Sequence, residues 1–175
     1  EPSWCQFWDG VGAYLDFSNP KAAAWWRQHV TADLLDMGIT ATWNDNNEFE
    51  VTSPTALANQ FGAPRPARDT LPVQTMLMLQ ASRRAQLTHA PDTRPFLVSR
   101  SGAAGMQRYV QTWSGDNFTA WETLKWNIPM GLGLALSGVS NSGHDIGGFA
   151  GPRPGPDLFL RWVAANRAER LVSEG

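Results

Sequence analysis

The sequence predicts an α/β fold of about four parallel strands with intervening helices, forming part of a (β/α)8 TIM barrel. Strand, acidic loop and helix patterns alternate with a unit of roughly thirty to fifty residues, which marks a parallel sheet with right-handed crossovers. Each candidate polar cluster follows a strand rather than a helix, where a βα barrel keeps its active site. A closed barrel needs eight strands and about 250 residues. Residues 1–175 are therefore expected to be the central part of a single catalytic barrel domain, with exposed sheet edges if they stand alone.

Glu1 to Ser18 is rich in Trp, Gly and Asp without a sustained period and reads as a long loop. Asn19-Pro20 then starts a helix, Asn as N-cap and Pro at the first helical position, where its missing N–H costs nothing. Trp26, Val30, Leu34 and Met37 form one stripe, so residues 20–37 are expected to be helical, with Gly38 as the stop. Ile39 to Trp43 is short and β-branched, as a buried parallel strand would be. Residues 51–69 lack a period and read as a long excursion. Helix resumes at Leu71-Pro72, with Val73, Met76, Leu77, Gln80, Arg83 and Arg84 on its faces, and runs to about Thr88; Met76 and Met78 read as core. Pro95 to Ser99 is a second strand, Tyr109 to Trp113 a third and Val139 to Ser142 a fourth. Trp121, Leu124, Ile128, Leu132 and Leu136 stripe the helix between the last two, kinked at Pro129 and stopped by Gly138. A final helix starts at Asp157 and runs to about Arg170.

Composition narrows the function. With 42% hydrophobic and 17% charged residues the chain is an ordinary globular sequence, and its formal charge of −2 gives no basis for binding nucleic acid. No apolar run approaches the roughly eighteen residues that span a bilayer. The single Cys5 supports neither an internal disulfide nor a Cys-rich metal site, and the compartment stays open. There are nine Trp. Trp25, Trp26, Trp121, Trp126 and Trp162 sit in helical patterns and read as core, whereas Trp43 and Trp113 lie beside acidic clusters, where indole faces could stack on sugar C–H surfaces.

Those clusters carry the chemistry. Asp45, Glu48 and Glu50 follow the first strand, and Asp116 follows the third in a Trp/Gly setting. Two isolated Asp residues at strand ends suit a nucleophile and a general acid for glycosidic cleavage. The bland alternative is that both merely cap turns or helices. Glu48 and Glu50 could likewise be solvated loop charges. His144 beside Asp145 has no second His or Cys at ligand spacing, so structural hydrogen bonding is favoured over metal. Gly147-Gly148 lacks the pattern of a phosphate loop.

In order and spacing, Trp43-Asn44-Asp45-Asn46-Asn47-Glu48, Ser99-Arg100-Ser101 with Gln107-Arg108-Tyr109, Trp113-Ser114-Gly115-Asp116-Asn117 and Gly143-His144-Asp145-Ile146-Gly147-Gly148-Phe149 resemble glycoside hydrolase family 31. The resemblance runs from about Asp16 to Trp162 and implies a retaining, exo-acting, α-glucosidase-like hydrolase of α-linked oligosaccharides or glycosides that uses no metal or organic cofactor. It implies that Asp45 is the nucleophile and Asp116 the acid/base, that Arg100 and Asp145 contact substrate, and that Trp43, Trp113 and Phe149 line the sugar subsite, with Glu48 in support. Chemistry agrees: Arg100 near Asp45 would keep the nucleophile ionised, and the two carboxyl groups are expected to lie roughly 5 to 7 Å apart.

Departures qualify the resemblance. Asn46 and Asn47 stand where many α-glucosidases of the family have Met-Asn. After Leu158 to Val163 the sequence leaves the family pattern, and nothing in it matches the substrate-binding His of the next barrel strand. Two other readings stay open: a sugar-binding or structural barrel that has lost catalysis, and metal-dependent hydrolysis through Asp45, Glu48, His144 and Asp145, which predicts sensitivity to chelators. A dead relative would be expected to replace Asp45 or Asp116, and both are present.

Overall fold

The computed structural model describes residues 2–173 and the side chains of residues 2–166. It contains two compact units, one ending at Val110 and the other beginning at Gln111. The first opens with an antiparallel pair, β1 (Cys5–Phe7) and β2 (Gly10–Gly12), where a loop was expected. These strands are three residues each, too short to show a period in sequence.

Helix α1 (Pro20–Val30) starts as its residues dictate. The Asn19 side chain accepts the Lys21 N–H at 3.0 Å, and Pro20 occupies the first turn. A π-helical turn (Thr31–Leu35) extends it, and Gly38 at φ 91° closes it as the Ile39 N–H reaches the Leu34 carbonyl at 3.1 Å. Leu35 at the end of that extension is buried, whereas Met37 in the turn beyond it is 75% exposed, because the wider π turn rotates the stripe.

Strands β3 (Ala41–Asn44) and β6 (Phe96–Ser99) pair in parallel, Asn44 opposite Ser99. Residues 45 and 100 therefore leave the two strands at one level, the register that brings the first acidic cluster to Arg100. Strand β3 is not buried on both sides as expected: Thr42 and Asn44 are covered while Ala41 and Trp43 are exposed. The excursion after it holds a short antiparallel pair, β4 (Leu57–Ala58) with β5 (Arg65–Pro66), between single helical turns.

Helix α2 (Leu71–His89) covers β3 and β6 with a polar face that the apolar pattern does not reveal. Gln74, Thr75, Ser82 and Gln86 are buried on it beside Met78, Leu79, Ala81 and Ala85, while Val73 is exposed. Each of these four side chains makes at least one hydrogen bond, while the Gln86 Oε1 atom is buried without one. Gln86 Nε2 donates to Thr42 Oγ1 at 2.8 Å and to the Phe96 carbonyl at 2.9 Å, and Ser82 Oγ donates to Asn44 Oδ1 at 3.0 Å while accepting Trp26 Nε1 at 2.8 Å. Around them Phe17, Phe49, Met78 and Ala81 form one core and Val30, Leu35 and Ala85 another, with Trp26 packed against both.

In the second unit β7 (Gln111–Trp113) pairs in parallel with β8 (Ser142–Gly143), Trp113 opposite Gly143. Strand β8 lies at the end of the expected Val139–Ser142 segment. Helix α3 (Trp121–Leu136) continues through Pro129 as one element, and α4 (Pro156–Ser173) follows. Leu124, Leu158 and Trp162 make the core here. The expected α3 stripe is largely uncovered: Trp121 is 56% and Leu136 91% exposed, with only Leu124, Asn127 and Gly131 buried. Of the Trp residues assigned to the core, Trp162 is fully buried and Trp26 partly, whereas Trp25, Trp121 and Trp126 are exposed. Among the described residues no helix is long and apolar enough to cross a membrane.

Asp16 ties three segments of the first unit together. Its Oδ1 accepts Ser18 N at 3.0 Å, Ser18 Oγ at 2.5 Å and Gln74 Nε2 at 2.7 Å, and its Oδ2 accepts Asn59 N at 2.6 Å. Burial, the largest single influence, raises this carboxyl, but the hydrogen bonds together outweigh it and hold it below the ordinary 3.8. A carboxylate held low contributes stability that is fully present above its unfolded value and lost as pH falls through the folded one. Asp16→Asn should therefore cost about 1–2 kcal/mol at pH 7, discounted for partial exposure. In denaturant unfolding of the full-length protein the gap should narrow below the ordinary value of 3.8; a gap constant down to about pH 2 would contradict it.

Candidate active site

The first acidic cluster begins where β3 ends. Asn46 at φ 49° and Phe49 at φ 57° both take the left-handed conformation, so the loop reverses tightly after Asp45. For a bulky residue such as Phe49 that conformation costs about 1–3 kcal/mol and persists only where the surroundings impose it. Here they do: the ring is 3% exposed and packs 5.1 Å from Tyr14 and 6.0 Å from Phe17.

Asn47 fixes the loop to the next strand. At 1% exposure, its Nδ2 donates to Ser99 Oγ at 2.8 Å, its Oδ1 accepts Ser101 N at 2.9 Å, and its carbonyl accepts Thr75 Oγ1 at 2.8 Å. Ser99 Oγ in turn donates to the Ser101 carbonyl at 2.7 Å, and Arg100 N donates to the Asn44 carbonyl at 3.1 Å. Arg100 is thus held from both sides of its own backbone.

Its side chain is held as firmly. Arg100 Nε and Nη2 donate to the two carboxylate oxygens of Glu48 at 2.8 and 3.0 Å, a fork a lysine could not reproduce. Nη2 also donates to Asn46 Oδ1 at 2.5 Å, and Nη1 lies 3.4 Å from Asp45 Oδ1. Hydrogen bonding from Arg100 holds the Glu48 carboxyl below its ordinary value, so the fork is fully charged at neutral pH. Asp45 itself is 51% exposed. An ion pair that open contributes about 0–1 kcal/mol to stability, so stability does not explain why Asp45 stands beside this guanidinium. Trp43, 58% exposed, stands immediately before the cluster on β3.

The second unit gathers the remaining candidates. Gly115 at φ 78° turns the chain after β7 so that Asp116 is exposed, and the Asn117 side chain donates to Ser114 Oγ. The Asn117 carbonyl accepts Phe149 N at 2.7 Å, and Thr119 Oγ1 donates to the Gly147 carbonyl at 3.0 Å, which binds the loop after β7 to the loop after β8. Gly148 sits in that seam at φ 92°; a Cβ there would lie 2.7 Å from Thr119 Cα. Burial first, and the charge of Asp116 second, raise the Asp145 carboxyl above its ordinary value. Phe149 is 65% exposed and Trp113 half-buried.

His144 is buried, its backbone N–H bonded to Asn166 Oδ1 at 3.2 Å, and burial holds its imidazole below the ordinary 6.5 and so neutral at pH 7. Among the described residues no cluster of His, Cys, Asp and Glu is arranged to hold a metal ion. The sequence reading did not identify the clamp made by Asn47, Ser99 and Ser101. An amide in an Asn-Asn pair gives no sign of which side chain turns inward; only a period across the loop would, and the left-handed residues abolish it.

The family model for the glycosyl hydrolases family 31 TIM-barrel domain matches residues 1–166. Alpha-glucosidase 2 of Bacillus thermoamyloliquefaciens is 36% identical over 164 residues, 90% of this chain and 21% of that protein. A probable glucan 1,3-alpha-glucosidase of Oryza sativa subsp. japonica is 38% identical over 168 residues, 91% of this chain and 18% of that protein. The crystal structure of a DNJ-bound glucosidase II alpha subunit aligns with a TM-score of 0.81 and 34% identity over 94% of this chain and 18% of its own. The chain thus spans about a fifth of the length of these relatives. It belongs to glycosyl hydrolase family 31, and its fold is part of that family's TIM barrel.

Two outcomes follow from this geometry. Asn47→Ala leaves the Ser101 N–H without its acceptor and should destabilise the full-length protein by about 2–3 kcal/mol in denaturant unfolding; a loss within about 0.5 kcal/mol would show that the clamp is dispensable. Asp116→Asn should lower the Asp145 carboxyl in a 13C NMR titration without returning it to 3.8, because burial remains. An unmoved Asp145 would mean that the two groups do not share a field.

Proposed function

We propose that this family 31 chain carries the catalytic carboxylates of a retaining, exo-acting, α-glucosidase-like hydrolase. The observation that carries the reading is the environment of Asp45. It is a half-exposed carboxylate at the C-terminal end of a parallel strand, with one oxygen 3.4 Å from a guanidinium that Glu48 already holds in a fork. That arrangement sets a fixed positive charge beside an accessible carboxylate instead of closing it in a buried pair. The names of the relatives, alpha-glucosidases among them, support the substrate class.

In this reading an Asp45 oxygen attacks the anomeric carbon as the glycosidic C–O bond breaks, and Asp116 gives its proton to the leaving oxygen. Water then attacks the glycosyl-enzyme, Asp116 taking its proton, and the Asp45–carbon bond breaks with net retention. Such a double displacement requires carboxyl groups about 5 Å apart. Arg100 and Asp145 would hold sugar hydroxyls, and the open faces of Trp43 and Phe149, with Trp113, would stack on the ring.

The two carboxylates should fail differently when removed from the full-length protein. Asp45→Ala should abolish turnover, and added azide should yield no α-glucosyl azide. Asp116→Ala should lose about 10²–10⁴-fold on a natural disaccharide but far less on an aryl α-glucoside whose leaving group needs little protonation, and azide should give the retained α-product. Equal losses on both substrates for Asp116→Ala, or a retained azide from Asp45→Ala, would overturn the assignment.

A further inference from the structure

The two oxygens of Asp45 stand in different surroundings, and Asn46 makes the difference. Asp45 Oδ1 accepts the Asn46 backbone N–H at 2.9 Å and faces Arg100 Nη1 at 3.4 Å, so both donors converge on this one oxygen. The Asn46 side chain meanwhile accepts Arg100 Nη2 at 2.5 Å. One residue therefore touches both members of the pair, the carboxylate through its backbone and the guanidinium through its amide oxygen. Its φ of 49° allows this, since an extended residue would carry the amide away from the strand end. Asn tolerates the left-handed region better than most residues with a Cβ.

We propose that Asn46 is a positioning residue for the nucleophile: it anchors Asp45 Oδ1 and sets the angle of the Arg100 guanidinium, so that Oδ2 is the oxygen that attacks the anomeric carbon. This rests on Asp45 being the nucleophile. Glu48 holds the Nε/Nη2 edge of Arg100, and the second Nη2 N–H, which points away from that edge toward Asn46 Oδ1, adds a directional restraint on the guanidinium plane that presents Nη1 to Asp45. An attacking oxygen misplaced by about 1 Å loses roughly 10²-fold in rate, so restraint at this level is visible kinetically even where it adds nothing measurable to stability.

The test uses the full-length protein and a fluorinated α-glucosyl fluoride that forms the glycosyl-enzyme faster than it is hydrolysed. In the labelling step Asp45 Oδ2 bonds to the anomeric carbon as the C–F bond breaks and fluoride leaves with the electron pair. Asn46→Gly keeps the backbone N–H and adopts the same φ without strain, so it deletes the amide acceptor alone. Asn46→Asp retains an acceptor oxygen in the same place. Peptide mass spectrometry should find the label on Asp45, with the saturating rate of labelling about 10- to 100-fold slower in Asn46→Gly and largely recovered in Asn46→Asp. Label on a residue other than Asp45 in the unsubstituted protein would overturn the nucleophile assignment. Label on Asp45 at the unsubstituted rate in Asn46→Gly, or no recovery in Asn46→Asp, would leave that assignment standing and overturn the role given to Asn46.

Discussion

A single buried amide, Asn47, sets the geometry of the loop that carries the first acidic cluster. Its side chain reaches Ser99 and Ser101 after β6, and its carbonyl takes the hydroxyl of Thr75 on α2. Parallel strands fix register only as far as their ladder runs, and here the ladder ends at Asn44 and Ser99. Beyond that level nothing in the sheet dictates where Asp45, Glu48 and Arg100 point. The Asn47 amide extends the alignment into the loops, and because a buried polar group without partners is costly, the chain has one low-energy way to arrange them.

Four acidic residues show how environment assigns roles to the same functional group. Asp16, bonded to backbone and side-chain donors, is a structural brace. Glu48 is spent on the Arg100 fork. Asp45 keeps half its surface open beside the same guanidinium, and Asp145 is raised by burial and by its neighbour Asp116. A carboxylate braced on all sides is closed to a ligand; one left open beside a fixed cation is accessible, as the role proposed for Asp45 requires.

Much of the fold was legible because it rests on local rules. Asn19-Pro20 and Gly38 bounded the first helix, and the β-branched runs located β3 and β6 within two residues. The failures lie where the apolar period does not report burial. An apolar period predicts which face is buried only when the partner surface is apolar, and α2 buries Gln74, Thr75, Ser82 and Gln86 against polar groups of β3, β6 and the loops before α1 and after β3. The period of α3 promised a buried stripe, yet Trp121, Ile128, Leu132 and Leu136 are exposed among the described residues. The hairpin of β1 and β2 was missed because three-residue strands carry no period.

The sequence by itself determined the order of the parallel strands and the long helices, the acidic clusters at strand ends, and the family to which the ordered motifs point. These depend on composition, spacing and caps, which are properties of neighbours in the chain. It did not determine which of two adjacent asparagines turns inward, that Glu48 rather than Asp45 takes the fork of Arg100, or that Asp16 braces a turn against α2. Those are choices among groups of equal chemistry. They are decided by which donors lie across 40 to 60 positions of intervening chain, as between Asp16 and Asn59, Asn47 and Ser99, or Asp16 and Gln74. Tertiary structure alone brings such partners within hydrogen-bonding distance.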